Sequence, residues 1–527
     1  MKTAKDYSGA KTLYFKPEIK LCPNCNKPLK RSHIAWRKYI ITLNSIYHVT
    51  STAYKCSNTD CPQPQAIYRS QEAEMLSIKH YQFGLDVIAK VGHLRFKEHQ
   101  TIRNIKQTLK SRFKLHISRS EVDLLHQAYL ALTTANRQQD TKFLQKIRAN
   151  NEIILAIDGV QPEKGNETLW ILKDTQTGQT LLARNLASAD QNSIAQLLKE
   201  IKTLNIPVKG VISDGQRSIR LAIAAEFPSV PHQLCHFHFL RNIARPISEM
   251  DRALKVDLKR KVRQIKPIER KAALESSGKT KVILQYCLAI RYALQEDGDY
   301  PLKPGGLRLY RRLRKIKQSI RRSNNLCPNS DLENLLRVLR IVEELKLQYR
   351  RVNRLYKLIF KANRVLSQDA PAGKVEADMF AYFDCLMELF AHSKLRVERA
   401  AFENILRYTA GYWAGLFYHY DCKDIPRTNN ELEVYIRSLK TEYRKMTGRS
   451  SCQEYIIRYG AYVCLLDSTA SQEEILFGLR RVGCVAFRRC FIEIRRFRGR
   501  LSLKRSLSED LNGFLCALEL DWAKIVV

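Results

Sequence analysis

The chain has 527 residues and carries 90 Lys and Arg against 52 Asp and Glu, a formal net charge of +38. Such an excess favours a polyanionic partner, because each cation set on a phosphate releases a condensed counterion. No apolar run reaches the roughly 18 residues of a membrane span. Met1-Lys2-Thr3-Ala4-Lys5-Asp6 has no apolar segment behind its lysines, so neither a membrane protein nor a secreted one is expected. The 14 cysteines then suit a reducing compartment, where Cys pairs serve as metal ligands rather than disulfides.

Residues 1–75 hold Cys22-Pro23-Asn24-Cys25 and Cys56-Ser57-Asn58-Thr59-Asp60-Cys61. Between the pairs, Tyr39–Leu43 and Tyr47–Val49 suit a β-hairpin. Two Cys turns joined by strands resemble a zinc ribbon, with Cys22, Cys25, Cys56 and Cys61 as the four soft ligands of a tetrahedral Zn²⁺. His33 and His48 are expected to be ordinary strand or loop residues. Residues 76–150 turn helical: Phe83–Val91 is amphipathic, and Thr101 can cap a second helix over Thr101–Leu109. Ser118 with Glu121 makes a capping box for a third. Helix, short turn and capped helix in a basic setting resemble a helix-turn-helix, with Arg119 a DNA contact; a plain helical linker is the alternative.

From 151 to 245 strands alternate with helices. Ile153–Gly159 runs apolar into Asp158, as a strand buried on both faces would, and leaves that carboxylate at its end. Leu169–Asp174 and Thr180–Arg184 form a hairpin around Thr177-Gly178. A helix over 193–204 leads to a second buried strand from Val208 that delivers Asp214-Gly215. A helix over Ser218–Phe227 follows, then short strands Val230–Leu234 and Cys235–His238. Two carboxylates presented side by side repel unless a cation lies between them, which points to a divalent metal; either Asp-Gly pair alone could also be a turn.

Residues 246–425 are helix-forming and basic. Leu309, Leu313 and Ile316 give Arg308–Lys317 an apolar face with cations around the rest, among them Arg311, Arg312, Arg314 and Lys315 as phosphate contacts. Pro371-Ala372-Gly373 marks a loop. Near Pro426 a new helix begins, capped by Thr428 or Asn429, with Leu432, Tyr435, Ile436 and Leu439 inward. Glu433 lies in its first turn, and Arg437 and Lys440 are further nucleic-acid candidates. Residues 471–527 form a basic tail through Arg480-Arg481, Arg488-Arg489 and Arg495-Arg496-Phe497-Arg498.

Asp158, Asp214 and Glu433, in this order, resemble the Asp-Asp-Glu triad of ribonuclease-H-fold transposases. Cys235-x2-His238 is similar to the Cys-x2-His element of Mutator-like and related insertion-sequence transposases. Thr428-Asn429-Asn430-x-Leu432-Glu433, followed by basic residues to Gly448-Arg449, looks like the segment carrying that family's third acid. The resemblance spans roughly residues 80 to 460. It implies an α/β ribonuclease-H-like core in two parts, 151–245 and 426–470, interrupted by an all-α insertion over 246–425.

The resemblance also implies metal-dependent DNA strand cleavage and strand transfer at transposon ends. Two Mg²⁺ (or Mn²⁺) ions would be held by the triad, Asp158 bridging both, Asp214 on one and Glu433 on the other. Glu431 is the alternative third ligand, and Cys235 and His238 are expected to pack structurally near the site. The partner is double-stranded DNA of terminal repeats and target, bound by a homodimer or larger assembly, in the cytoplasm at the nucleoid if the host is prokaryotic. Two other readings remain: a nuclease without strand transfer, and a transposase-derived DNA-binding regulator.

Overall fold

The computed structural model describes residues 7–138, 141–162, 165–275, 277–295, 297–467 and 469–526. The stretch 1–6, read above for a signal, lies outside them, as do the side chains of Phe497 and Arg498 in the basic tail. The architecture is mixed α/β with a large helical part, divided into two compact units, 1–207 with 430–527 and 208–429. No described helix is long and apolar enough to cross a membrane.

The first unit opens with a small sheet of β1 (Lys11–Phe15), β2 (Leu29–Ile41), β3 (Ile46–Cys56) and β4 (Ile67–Tyr68). β3 is its centre: β2 and β4 pair with it antiparallel and β1 parallel. The expected hairpin is there, but its strands are longer, so that β2 starts just after one Cys turn and β3 ends on the other. Ile40, Val49 and Ala53 are fully buried. The turn between the strands is closed by Thr42, whose hydroxyl donates to Ser45 O at 2.8 Å and accepts from Ser45 N at 3.1 Å.

Helices α1 (Gln71–Glu74), α2 (Leu85–Phe96), α3 (Ile102–Phe113), α4 (Arg119–Arg137) and α5 (Thr141–Arg148) follow. Two of the expected caps are present. Thr101 accepts from Asn104 N ahead of α3, and Ser118 with Glu121 closes a capping box ahead of α4. α2 and α4 pack closely because Gly92 lies flat on Tyr129; a Cβ there would sit 2.2 Å from the ring.

β5 (Ile153–Val160), β6 (Thr168–Asp174) and β7 (Thr180–Leu186) form an antiparallel meander, and α6 (Gln191–Lys202) leads out of it. One expectation is corrected here. Asp158 does not end its strand: β5 continues because Gly159 and Val160 still pair with Trp170 and Leu169 of β6. The Asp-Gly pair is strand, not turn.

The second unit starts with β8 (Val208–Ser213), α7 (Arg217–Glu226) and β9 (His232–Leu234), the two strands pairing parallel. The expected strand Cys235–His238 is helix instead. Cys235 is the N-cap of the 27-residue α8 (His236–Val262), whose Phe239, Ile243, Ile247, Leu254 and Leu258 recur at helical spacing and are all fully buried. α9 (Lys266–Ala273), α10 (Gly278–Gln295), α11 (Gly305–Leu326), α12 (Ser330–Val338), α13 (Ile341–Glu344), α14 (Lys346–Leu366), α15 (Ala372–His392), α16 (Arg396–Tyr412) and α17 (Tyr418–Asp421) complete it.

α8 is the axis on which α11, α14 and α16 pack. Buried Asp251 of α8 accepts from Gly306 N and Leu307 N, both at 2.8 Å, and so caps α11 with a carboxylate. The expected loop lies at 367–371 and ends on Pro371, the N-cap of α15, so that Ala372 and Gly373 are already helical. On α11, Leu309 and Leu313 are inward as expected, yet Lys317 is inward too. Its ammonium donates to Leu339 O at 3.1 Å and pairs with Glu343, which offsets its burial.

The chain then returns to the first unit with α18 (Asn430–Thr447), α19 (Gln453–Val463), α20 (Gln472–Arg480), α21 (Cys484–Glu509) and α22 (Leu511–Val526). α18 packs on β5 and α19 on β6 and β7, where Asn185 donates to Ile457 O at 3.1 Å. α20 lies against α2 and α4, and α21 against α4.

Candidate metal centres and acidic site

The four cysteines come together. Their sulfur atoms all lie within 4.8 Å of one another, the one such group of Cys, His, Asp or Glu donors among the described residues. Cys22 and Cys61 are 3.8 Å apart and Cys25 and Cys56 3.3 Å, with no disulfide between them. A tetrahedron of Zn–S bonds of about 2.3 Å has edges of about 3.8 Å, so the spacing fits a zinc ion. Each turn is shaped by backbone: Asn26 N donates to Cys22 O at 2.9 Å with Asn26 in the left-handed region (φ 56°), and Asn58 N donates to Cys56 Sγ at 3.4 Å.

The thiols are electrostatically uneven. The Tyr68 hydroxyl, 3.5 Å from Cys22 Sγ, helps bring Cys22 down to about 6. Cys61 has a lowering contact from Gln63 N–H, but burial and the other sulfurs together push it up to about 12. Four sulfurs this close resist shared ionisation, and a central dication removes the conflict. This group could hold zinc. Tyr68 was invisible in the sequence, being one Tyr among 24.

Asp158 and Glu433 both belong to the first unit. Asp158 is half-buried in β5, and its Oδ1 accepts from Gly159 N at 2.8 Å. Glu433 is half-buried in the first turn of α18, the helix that packs on β5. The competing Glu431 is exposed, and its charge bears on Lys173 of β6, whose pKa burial lowers and Glu431 partly restores. The Lys173 ammonium sits 4.2 Å over the Tyr435 ring. Glu431 thus has an electrostatic partner on the sheet.

Asp214 belongs to the second unit and follows β8 directly. Its Oδ1 accepts from Gln216 N at 3.0 Å. Its carbonyl accepts from the Tyr412 hydroxyl, which in turn accepts from Asn242 Nδ2 at 3.0 Å. Gly215 adopts φ +81°, and a Cβ there would lie 2.6 Å from Tyr412, so only glycine fits. Burial first, and the Asp214 charge second, push the Tyr412 phenol up, keeping it a donor. Tyr412 lies far downstream, and no local pattern announced its role.

Cys235 and His238 join no cluster of three or more ligating side chains among the described residues. Buried Cys235 donates its N–H to Ser213 O at 2.8 Å, and its sulfur accepts from Asn429 N at 3.3 Å. It therefore links the β8 end beside Asp214 to the residue just before α18. His238 is half-buried in the first turn of α8. Of the basic candidates, Arg119, Arg311, Arg312, Arg314, Lys315 and Arg437 are exposed, and Lys440 is partly covered. Arg311 is additionally tied to Tyr349 at 3.2 Å and Asn353 at 2.9 Å.

Comparison with known proteins adds a family likeness. Residues 181–287, from β7 through most of α10, match the model of the Mutator family of transposases. A search of curated proteins gave no match. Among solved structures, the Drosophila P element transposase strand transfer complex aligns at 12% identity over 76% of this chain and 94% of that one, with a TM-score of 0.30. That superposition is too loose to define a common fold.

Proposed function

We propose that the chain is a DNA transposase that cuts and joins strands at transposon ends, with Asp158, Asp214 and Glu433 as its acidic triad. The Mutator-family match carries this reading, because the matched segment includes Asp214, Cys235 and His238 in one continuous piece. The order β5, hairpin β6–β7, α6, β8, α7 supports a ribonuclease-H-like core interrupted by helices before the glutamate. On the same reading, residues 1–75 are a zinc ribbon and 76–150 a helix-turn-helix.

The donor set suits a hard divalent ion. Asp158 and Glu433 offer carboxylate oxygens, half-buried, on elements packed against each other, and Asp214 offers a third at a strand end. Two Mg²⁺ or Mn²⁺ ions held there would supply an activated oxygen nucleophile and neutralise charge on the phosphate. The protein's part is to fix the acids. Gly159 N–H holds Asp158 Oδ1, Tyr412 holds the turn that carries Asp214, and packing on β5 fixes the helix that bears Glu433. Exposed arginines and lysines would take the backbone of duplex DNA, both terminal repeats and target, bound by a homodimer or larger assembly.

A nuclease could use the same acids without strand transfer. Incubation with terminal-repeat duplex, Mg²⁺ and a target plasmid separates the readings. Joined products are expected. Nicks alone identify a nuclease, and retardation without cutting leaves a DNA-binding regulator and ends the proposal.

A further inference from the structure

Within the first unit, a cavity of about 270 Å³ lies where α2, α3 and α4 meet the α18–α19 connection. Five arginines line it: Arg95, Arg103, Arg119, Arg449 and Arg458. Two acids, Asp123 and Glu454, face them, so cations prevail. Asp123 accepts from Gln127 at 2.8 Å, and Glu454 pairs with Arg458 at 3.6 Å, which leaves four of the arginines outside that pair.

The N-terminus of the 12-residue α3 opens here through Thr101, Ile102 and Arg103. The Thr101 side chain caps Asn104 N, and the N–H groups of Ile102 and Arg103, both lining residues, have no acceptor within the helix itself. Below them is His126, 2% exposed, whose two ring nitrogens have no hydrogen-bond partner among the described residues. The Tyr455 hydroxyl is likewise buried without one. Burial, with Arg95 and Arg458 adding to it, brings His126 down to about 3, so its ring is a neutral donor and acceptor.

Buried polar groups normally find partners, and one His126 N–H, the Tyr455 O–H and the Arg95 Nε–H, all buried without one among the described residues, describe a site short of an anionic acceptor. A tetrahedral phosphate has enough oxygens to accept from the α3 N–H groups, the arginines, an imidazole N–H and a phenol together. The volume leaves space for water at about 30 Å³ each. We infer that this cavity binds one backbone phosphate of duplex DNA, clamping the strand between the α3–α4 pair and the α18–α19 connection. The choice of DNA as the phosphate's source rests on the transposase reading; the anion site itself does not.

The test uses the full chain. Arg103 and Arg449 are both exposed, so R103Q/R449Q should fold. Duplex affinity is measured by fluorescence anisotropy over a salt series. Arginine modification by phenylglyoxal is mapped with and without a short duplex, and separately with inorganic phosphate. The double variant is expected to bind roughly tenfold more weakly, with a salt slope shallower by about 1 to 2, and both duplex and phosphate should protect Arg449 in the wild type. Wild-type affinity and slope in the variant would overturn the pocket while leaving DNA binding elsewhere intact. Protection by inorganic phosphate but not by duplex overturns the DNA assignment and leaves a site for a free anion. A wild-type chain that binds no duplex overturns both the assignment and the transposase reading, and the phosphate arm then tells whether the cavity takes anions.

Discussion

The cysteine group and the acids are built in opposite ways. The four cysteines lie in one stretch, and a single hairpin whose strands begin and end beside the two Cys turns is enough to bring their sulfurs within 4.8 Å. The acids are spread from Asp158 to Glu433 over two units, and each owes its posture to a different part of the chain. Asp158 depends on pairing with β6, Glu433 on a helix laid over β5, and Asp214 on a tyrosine 198 residues away. A group made by local geometry tolerates change elsewhere, whereas residues held by long-range packing each inherit the weaknesses of their own supports.

That contrast can be broken or sharpened by substitution. The largest effect is expected from Cys25→Ser or Cys56→Ser, since structural zinc contributes on the order of 10 kcal/mol to small zinc domains. Metal analysis of the full chain should fall from about one zinc to near none, with proteolysis confined to the N-terminal region. An unchanged zinc content removes the assignment. Next come Asp158→Asn and Glu433→Gln, each expected to lower DNA cleavage by roughly 10³-fold or more while gel-shift affinity holds; normal turnover in either strikes that acid from the triad.

Tyr412→Phe should be milder. It leaves the Asp214 carbonyl and the Asn242 amide short of a partner and should cost about 1–3 kcal/mol, read as a lower melting temperature. A wild-type melting temperature would mean that the hydroxyl does not hold the turn. The smallest effect belongs to Glu431→Gln, which should cleave within about threefold of wild type, because the charge of an exposed carboxylate acting on a neighbouring lysine contributes little. Loss of cleavage there, with Glu433→Gln active, would exchange the two glutamates.

What the sequence revealed tracks how local each signal is. The Cys turns, Thr101, the Ser118–Glu121 box, the β6–β7 hairpin and Asp214 after its strand all rest on residues a few positions apart. The misread pieces depended on distant partners. β5 runs past Asp158 only because β6 continues beside it, and Cys235 ends a strand pairing and caps a helix in the same step. Lys317 turned inward because Glu343 and a carbonyl wait there. Tyr68, Tyr412 and His126 carried no local signature at all, since a tyrosine or histidine in a helix or short strand looks the same whether it packs, positions or binds.

The discontinuity of the first unit also sets a timetable. β5 leaves the ribosome long before α18, its cover, and at about 5–20 residues per second the whole second unit must be made in between, a delay of tens of seconds. During that interval the strand's apolar face stays open to chaperones or to misassembly, and no half-made chain can present Asp158 and Glu433 together. A nascent chain halted at residue 429 should therefore be cut readily by protease within 153–160, and the finished chain should not. The proposed triad is in this way completed only after synthesis has passed Glu433.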